Sequence, residues 1–425
     1  MIIQFCSAPC GSGKTYQLVK SACRLANGGE TVLLLQPTKE LIDKTIADRL
    51  SRLSSAPLYE KFYGGSQDHS VAWDLTEHLK TVTDGGHIVF ATHQVMPFIR
   101  FWANQDRLHI FVDEELQVAK HVCFQIPDTH ELITRFLDLD IYDAIYSRVI
   151  VNDLTEVAQI AKNPANDQIY EQFRETAQIL VSPHWDSFVN TEQFENLKAE
   201  KVKRLSIHSI LKPDILEGFA SVTMASANFR DTLLNKLWSR QGVQFEENKA
   251  LSQSLRFQEH QNGHLVSVRY LTDRAWSWKL QRTPREATSD GLETVLDVMV
   301  QAVKEDFEDY PFLWQANKWI SDGEFGENGQ RLPNMPHGLN DYSEYDRIAF
   351  LSALNPRSDH FRFLESQGVD GNDVRRAIYC SAVYQSVMRT SIRDPQSTTH
   401  KTVIVPDLSA ARYLQDAFPG AQAEN

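Results

Sequence analysis

The stretch Ala8-Pro9-Cys10-Gly11-Ser12-Gly13-Lys14-Thr15 constrains this chain more than any other. It follows Ile2 to Cys6, a short β-prone run, and precedes Tyr16 to Ala26, which is compatible with a helix. A loop in that position gathers main-chain N–H groups at the positive end of a helix dipole, an arrangement that favours phosphate. Gly11 and Gly13 let the backbone approach such a ligand closely. Lys14 would reach the terminal phosphates as a point charge, and Thr15 would offer its hydroxyl to Mg²⁺. A glycine-rich turn without ligand is the competing explanation.

A second constellation strengthens the first. The apolar run His109 to Val112 leads into Asp113-Glu114-Glu115-Leu116. A strand ending in paired carboxylates suits a magnesium–nucleotide site, with Asp113 holding the metal and Glu114 orienting and activating the attacking water. The bland alternative is a helix start enriched in acids, which the helix dipole stabilises anyway.

A chain of 425 residues exceeds what one hydrophobic core usually supports, so two domains are expected. At 42% hydrophobic and 23% charged residues the composition is that of a folded globular protein. The net charge of −13 argues against coating nucleic acid by bulk attraction, although a local basic track remains compatible with it. Cys6, Cys10, Cys23, Cys123 and Cys380 form no CxxC pair, so neither a zinc site nor a disulfide framework is readable. Without a signal-peptide pattern or an apolar run of ~20 residues, a cytoplasmic protein with no membrane partner is expected.

Further segments fall in an order that carries meaning. Thr31 to Leu35, a buried-strand pattern, precedes Gln36-Pro37-Thr38-Lys39-Glu40-Leu41, and His87 to Ala91 precedes Thr92-His93-Gln94. Ser221 to Asn228 is a strand ending in small polar residues. Phe312 to Lys318 has an apolar face that serves equally well as core, and His337 to Tyr342 contains a Gly-x-Asn turn before a strand expected over Tyr345 to Leu354. Gln385 to Arg393 carries two arginines. Spacings of three or four keep side chains on one helix face, so Arg389 and Arg393 are expected to share one.

With its AxxGxGKT loop and DEEx strand end, this series resembles motifs I, Ia, Ic, II, III, IV, V and VI of the superfamily one and two helicases, most closely the DEAD/DEAH box proteins. The resemblance implies an α/β fold of two RecA-like domains, each a mostly parallel sheet flanked by helices. It further implies nucleic-acid-dependent hydrolysis of ATP with Mg²⁺ in the cleft between them. ATP rather than GTP is expected on the resemblance alone, since no upstream adenine-recognising motif is expected before a loop so near the first residue. On the same basis Ala8 to Thr15, Gly338, Asn340 and Gln385 would touch nucleotide, Arg389 and Arg393 would meet the transferring phosphoryl group with Arg393 foremost, and Thr38, Lys39 and Thr92 would touch the nucleic-acid backbone. A Pro-Thr turn capping the next helix explains Thr38 as readily. DNA is expected in preference to RNA.

The first domain is expected over residues 1–250, with an insertion at about 120–205, and the second over 251–425. Asp153 to Lys162 and Asn166 to Leu180 have helical spacing, so the insertion is expected to be mostly helical and to suit a protein partner. Lys198 to Arg204 reads as a solvated helix face, and Trp276 with Trp278 as core of a strand-like segment. The rival function is a nucleotide-switched loader or regulatory ATPase that acts on a protein without unwinding.

Overall fold

The computed structural model describes residues 1–53, 55–64, 70–81, 86–99, 101–126, 129–288, 291–333 and 342–424. Strands and helices alternate from the start: β1 (Ile2–Ser7), α1 (Lys14–Asn27), β2 (Thr31–Gln36), α2 (Lys39–Asp48), β3 (Leu58–Phe62), α3 (Val71–Thr81), β4 (His87–Thr92) and β5 (Leu108–Asp113). That alternation builds a parallel sheet, because each helix carries the chain back across one face. β2 and β4 are apolar nearly throughout since both of their faces are covered. α1 lays Leu18, Val19, Ala22, Cys23 and Ala26 on that sheet, at the spacing of a single helical face.

An insertion follows β5, with β6 (Ala119–Gln125), α4 (Glu131–Thr134), β7 (Leu137–Ile141), β8 (Tyr146–Val151), α5 (Leu154–Lys162), α6 (Gln168–Leu180), β9 (Trp185–Asn190), α7 (Thr191–Lys198) and β10 (Arg204–Leu211). The two expected helices are present as α5 and α6, capped by the Asp153 and Asp167 carboxylates. The mostly helical picture is nevertheless corrected by a five-stranded antiparallel sheet, β6-β10-β9-β8-β7. Its strands escaped notice because β6 is half-buried along most of its length and β10 is covered on both sides, so neither has a clean two-residue period. Lys198 to Arg204 is a solvated turn between α7 and β10 rather than a helix face, with Glu200 at φ 59°.

The chain returns to the first sheet through β11 (Ser221–Ser226), α8 (Leu233–Arg240), β12 (Gln244–Glu247) and α9 (Lys249–Gln253), which completes the strand order β12-β1-β11-β5-β2-β4-β3. A second sheet then forms from β13 (Val266–Thr272), α10 (Trp278–Gln281), a hairpin of β14 (Pro284–Thr288) and β15 (Gly291–Thr294), α11 (Val295–Phe307), β16 (Phe312–Gln315), β17 (Gly329–Arg331), β18 (Arg347–Phe350), α12 (Ser358–Ser366), α13 (Gly371–Arg375), α14 (Ser381–Val387), β19 (Lys401–Asp407), α15 (Leu408–Ala417) and β20 (Gln422–Glu424). Its order is β17-β16-β18-β19-β13-β20, and all its pairings are parallel. The protein is thus α/β, with two RecA-like domains.

β18 is shorter than the strand expected over Tyr345 to Leu354. Trp276 is fully buried and donates its indole N–H to the Leu351 carbonyl at 2.9 Å, whereas Trp278 begins α10 and stands 55% exposed beneath the Arg282 guanidinium. The expected alternation there is therefore wrong for Trp278, which a local helix turns outward. No helix among the described residues is long and apolar enough to cross a membrane.

Among the described residues the domains meet at several places, of which two bear on function. One contact is the cleft described below. In the other, α12 leaves the second sheet, and Phe363 and Leu364 are buried in the cluster that contains Tyr146 and Phe188 of the insertion. His121, His208 and His360 gather there with ring centroids 4.7 to 5.3 Å apart. Burial, followed by the neighbouring histidines, depresses His208 to about 3, and burial depresses His360 to about 4, so the cluster is neutral at pH 7.

Candidate active site between the two sheets

The loop between β1 and α1 has the local geometry its sequence demands. Gly11 and Gly13 adopt φ 83° and 96°, in the left-handed region that favours glycine. A Cβ at Gly11 would lie 3.2 Å from the Arg393 carbonyl oxygen, so the position is restricted from both sides of the cleft. Lys14 is buried and donates from Nζ to the Ala8 and Pro9 carbonyls at 2.9 and 3.0 Å. Ser12 Oγ is buried without a hydrogen-bond partner among the described residues. An unpartnered hydroxyl and a buried ammonium resting on its own loop suit an anionic ligand, which would give the hydroxyl a partner and the ammonium a counter-charge.

Three strand ends converge beside this loop. Thr15 donates its hydroxyl to the Asp113 carboxylate, at 2.8 Å to Oδ2, and Gln36 donates its amide to the same oxygen at 2.8 Å. Asp113 is 1% exposed, and burial followed by the charge of Glu114 pushes its carboxyl up to about 6. This hydroxyl and carboxylate form the oxygen donor set that Mg²⁺ favours, and a bound cation would stabilise the ionised carboxylate. Glu114 sits next to it at φ 68°, held by its N–H bond to the Ala225 carbonyl at 2.8 Å. A non-glycine residue at positive φ is costly, and such strain gathers at functional sites.

The opposite wall comes from the other end of the chain. α14 ends at Val387; Thr390 is extended, with ψ −178°, and a short 3₁₀ turn spans Ser391–Arg393. The expectation that Arg389 and Arg393 share one helix face is therefore corrected, since the helix stops between Gln385 and the first arginine. Both nevertheless line the same cavity of about 820 Å³ as Gly11, Lys14, Thr15, Asp113, Glu114 and Gln385. Cys10 lines it too, and its thiol hydrogen-bonds Gln385 Oε1 at 3.6 Å. Burial pushes that thiol up, which keeps it protonated. Ala8 and Pro9 contribute through their carbonyls to Lys14. Gly338 and Asn340 lie outside the described residues.

The residues expected at nucleic acid stand elsewhere. Thr38 caps α2, its hydroxyl accepting from the Leu41 N–H at 3.2 Å, as the capping alternative required. Lys39 is exposed and 3.8 Å from Glu40. Thr92 ends β4 and lines a separate cavity of about 1010 Å³ between the first domain and the insertion, together with Trp73, Phe98, Lys162 and Arg174.

Sequence reasoning passed over three supports. Gln36 was legible as a polar residue closing an apolar strand, and it is fully buried against Asp113. Tyr384 accepts from the Cys10 main-chain N–H at 2.9 Å and lies 2.9 Å from His260 Nε2. Burial, followed by the charge of Lys14, depresses His260 to about 4, so its neutral ring can accept the tyrosine proton. No local pattern ties Tyr384 or His260 to a loop more than two hundred residues away in sequence. Arg256 and Phe257 also line the cleft, on the stretch that joins the two domains.

Loop, paired carboxylates and arginines make a cleft suited to a nucleoside triphosphate, and the motifs that build it resemble those of the superfamily two helicases. Residues 3–138 match the family model described as DEAD/DEAH box helicase. Among curated proteins none matches the sequence. Among solved structures, similarity is found to a DEAD box protein from the hyperthermophile Methanococcus jannaschii, at 10% identity and a TM-score of 0.33, over 100% of this chain and 88% of that one. Similarity is also found to an arterivirus nonstructural protein 10 helicase in complex with DNA, at 11% identity and a TM-score of 0.30, over 98% of this chain and 63% of that one.

Proposed function

We propose that this protein hydrolyses ATP in the cleft between its two RecA-like domains and uses the cycle to move along nucleic acid as a helicase or translocase. The observation that carries this reading is the meeting of Lys14 and Asp113 with Arg389 and Arg393 around one cavity. The amides from Gly11 to Thr15 bind and orient the β- and γ-phosphates, helped by Lys14. Thr15 and Asp113 would hold Mg²⁺, which would neutralise phosphate charge when bound. Glu114 takes a proton from water as the water oxygen bonds to the γ-phosphorus and the bond to the bridging oxygen breaks. Arg389 and Arg393 stabilise charge on the transferring group, and Arg393 is the better candidate for its γ-oxygens. ATP engages both domains at once, so its loss weakens their contact and the grip alternates.

Nucleic acid is the proposed partner, DNA in preference to RNA, supported by the match over residues 3–138 and by the cavity beside Thr92, where Trp73 and Phe98 expose ring surface for stacking. Thr38 and Lys39 are proposed as backbone contacts. The domain division at about residue 250 and the docking of a protein on the insertion belong to the same proposal. The test is ATPase rate with single-stranded DNA, duplex DNA and RNA in parallel, in the parent chain, Lys14→Ala and Glu114→Gln. Stimulation by a single strand, abolished in both variants while Glu114→Gln still binds ATP, is expected. Slow turnover indifferent to every polynucleotide would favour a nucleotide-switched loader.

A further inference from the structure

We propose that the stretch from Ser254 to Gln261 forms a purine subsite, in which the Arg256 guanidinium covers the base plane and the Gln261 side-chain amide reads the edge of adenine. The proposal rests on the ATPase reading above and adds to it the part of the nucleotide beyond the phosphates.

The stretch leaves α9 and runs directly against the phosphate loop. The Arg256 N–H donates to the Ser12 carbonyl at 3.0 Å, and Gln17, in the first turns of α1, donates its amide to the Ser254 carbonyl at 2.6 Å. The Arg256 side chain lies along the loop, since a Cβ at Gly13 would be 3.8 Å from its Cγ and its Nε. The strand order gives the nucleotide a direction. β1 has β11 and then the carboxylate-bearing β5 on one side, and β12, which leads into α9, on the other. A triphosphate with its metal-bound end at Asp113 therefore extends towards the α9 side, where Ser254 to Gln261 passes.

The side chains there suit a base. Arg256 and Gln261 are both exposed and both line the cleft. Among the described residues neither side chain has a hydrogen-bond or ion-pair partner. A guanidinium is planar and weakly hydrated, so it stacks on aromatic rings that a lysine ammonium cannot cover equally well. A glutamine amide sets one donor beside one acceptor, complementary to the amino group and adjacent ring nitrogen of adenine; guanine offers an acceptor where adenine offers that donor. Arg256 and Gln261 thus divide the work, one holding any purine and the other selecting adenine.

The experiment is isothermal titration of the full chain, with Mg²⁺, using ATP, GTP and inorganic tripolyphosphate. Arg256→Ala is expected to weaken ATP about tenfold while tripolyphosphate changes less than about twofold, as loss of one stacking contact predicts. Arg256→Lys should behave like the alanine variant, because the charge alone does not rescue stacking. Gln261→Ala should bring ATP and GTP affinities together. Equal weakening of ATP and tripolyphosphate would make Arg256 a phosphate contact and overturn the proposal, as would unchanged ATP affinity in Arg256→Ala. Were the parent chain to bind neither ATP nor tripolyphosphate, the ATPase reading itself would fall with it, which separates the two failures.

Discussion

The hydroxyl of Tyr384 accepts a hydrogen bond from the main-chain N–H of Cys10 at 2.9 Å, joining the helix that leads to the arginines to the loop that cradles phosphate. Tyr384 is 1% exposed, and its partner on the other side is neutral His260. The bond thus ties the glycine-rich loop to the distant part of the chain that carries Arg389 and Arg393.

Tyr384→Phe keeps the ring and removes the oxygen, leaving the buried Cys10 N–H unsatisfied. A loss of ~1–3 kcal/mol in stability is expected from such an orphaned donor, with slower turnover in single-turnover assays. Unchanged melting temperature and unchanged rate would show that the bond holds nothing in place.

Gln36 shares Asp113 Oδ2 with Thr15, so it fixes the carboxylate that is proposed to hold the metal. Gln36→Ala should raise the Mg²⁺ concentration needed for half-maximal ATPase by about ten- to a hundredfold, the usual cost of losing a residue that orients a ligand. A Mg²⁺ titration indistinguishable from that of the parent would exclude this role.

The histidines between insertion and second domain predict an acid sensitivity. His208 and His360, depressed to about 3 and 4, stay neutral in the folded chain, while in the unfolded chain a histidine takes up its proton near pH 6.5. Their contribution to stability is thus fully present above about pH 6.5 and is lost as the pH falls towards the folded values, at up to about 1.4 kcal/mol per pH unit for each group. His121, Asp359 and Arg204 surround the pair, and Asp359 alone favours the protonated rings. Denaturant midpoints measured from pH 7.5 to 5 should fall less steeply in His360→Phe than in the parent. Parallel curves would contradict the assignment.

Much of the first domain was legible because its strands and helices are long, apolar and punctuated by glycine, proline and acid pairs. β1, α1, β2, β4 and β5 lie within a residue or two of where pattern placed them. The insertion sheet was not legible, for its strands mix polar and apolar residues on both faces, and periodicity then says little. Arg389 and Arg393 reached the cleft for a reason other than the one that marked them. Resemblance to motif VI was the clue and helical spacing the expected geometry, yet α14 ends at Val387, and after the extended Thr390 a 3₁₀ turn carries the second arginine to the loop. Contacts such as Cys10 to Tyr384, and the return of α12 to the first domain, join distant parts of the chain and leave no trace in local pattern.

In the proposed reaction one triphosphate is held by the loop at Lys14 and attacked under Arg389 and Arg393. Its most direct test is single-turnover ATP hydrolysis in Arg393→Ala and Arg389→Ala, with ATP binding measured alongside. Arg393→Ala should bind ATP within a fewfold of the parent and hydrolyse it on the order of a thousandfold more slowly, as removal of a guanidinium acting on a transferring phosphoryl group predicts, with Arg389→Ala also slowed. Hydrolysis at the parent rate in both variants would contradict the account.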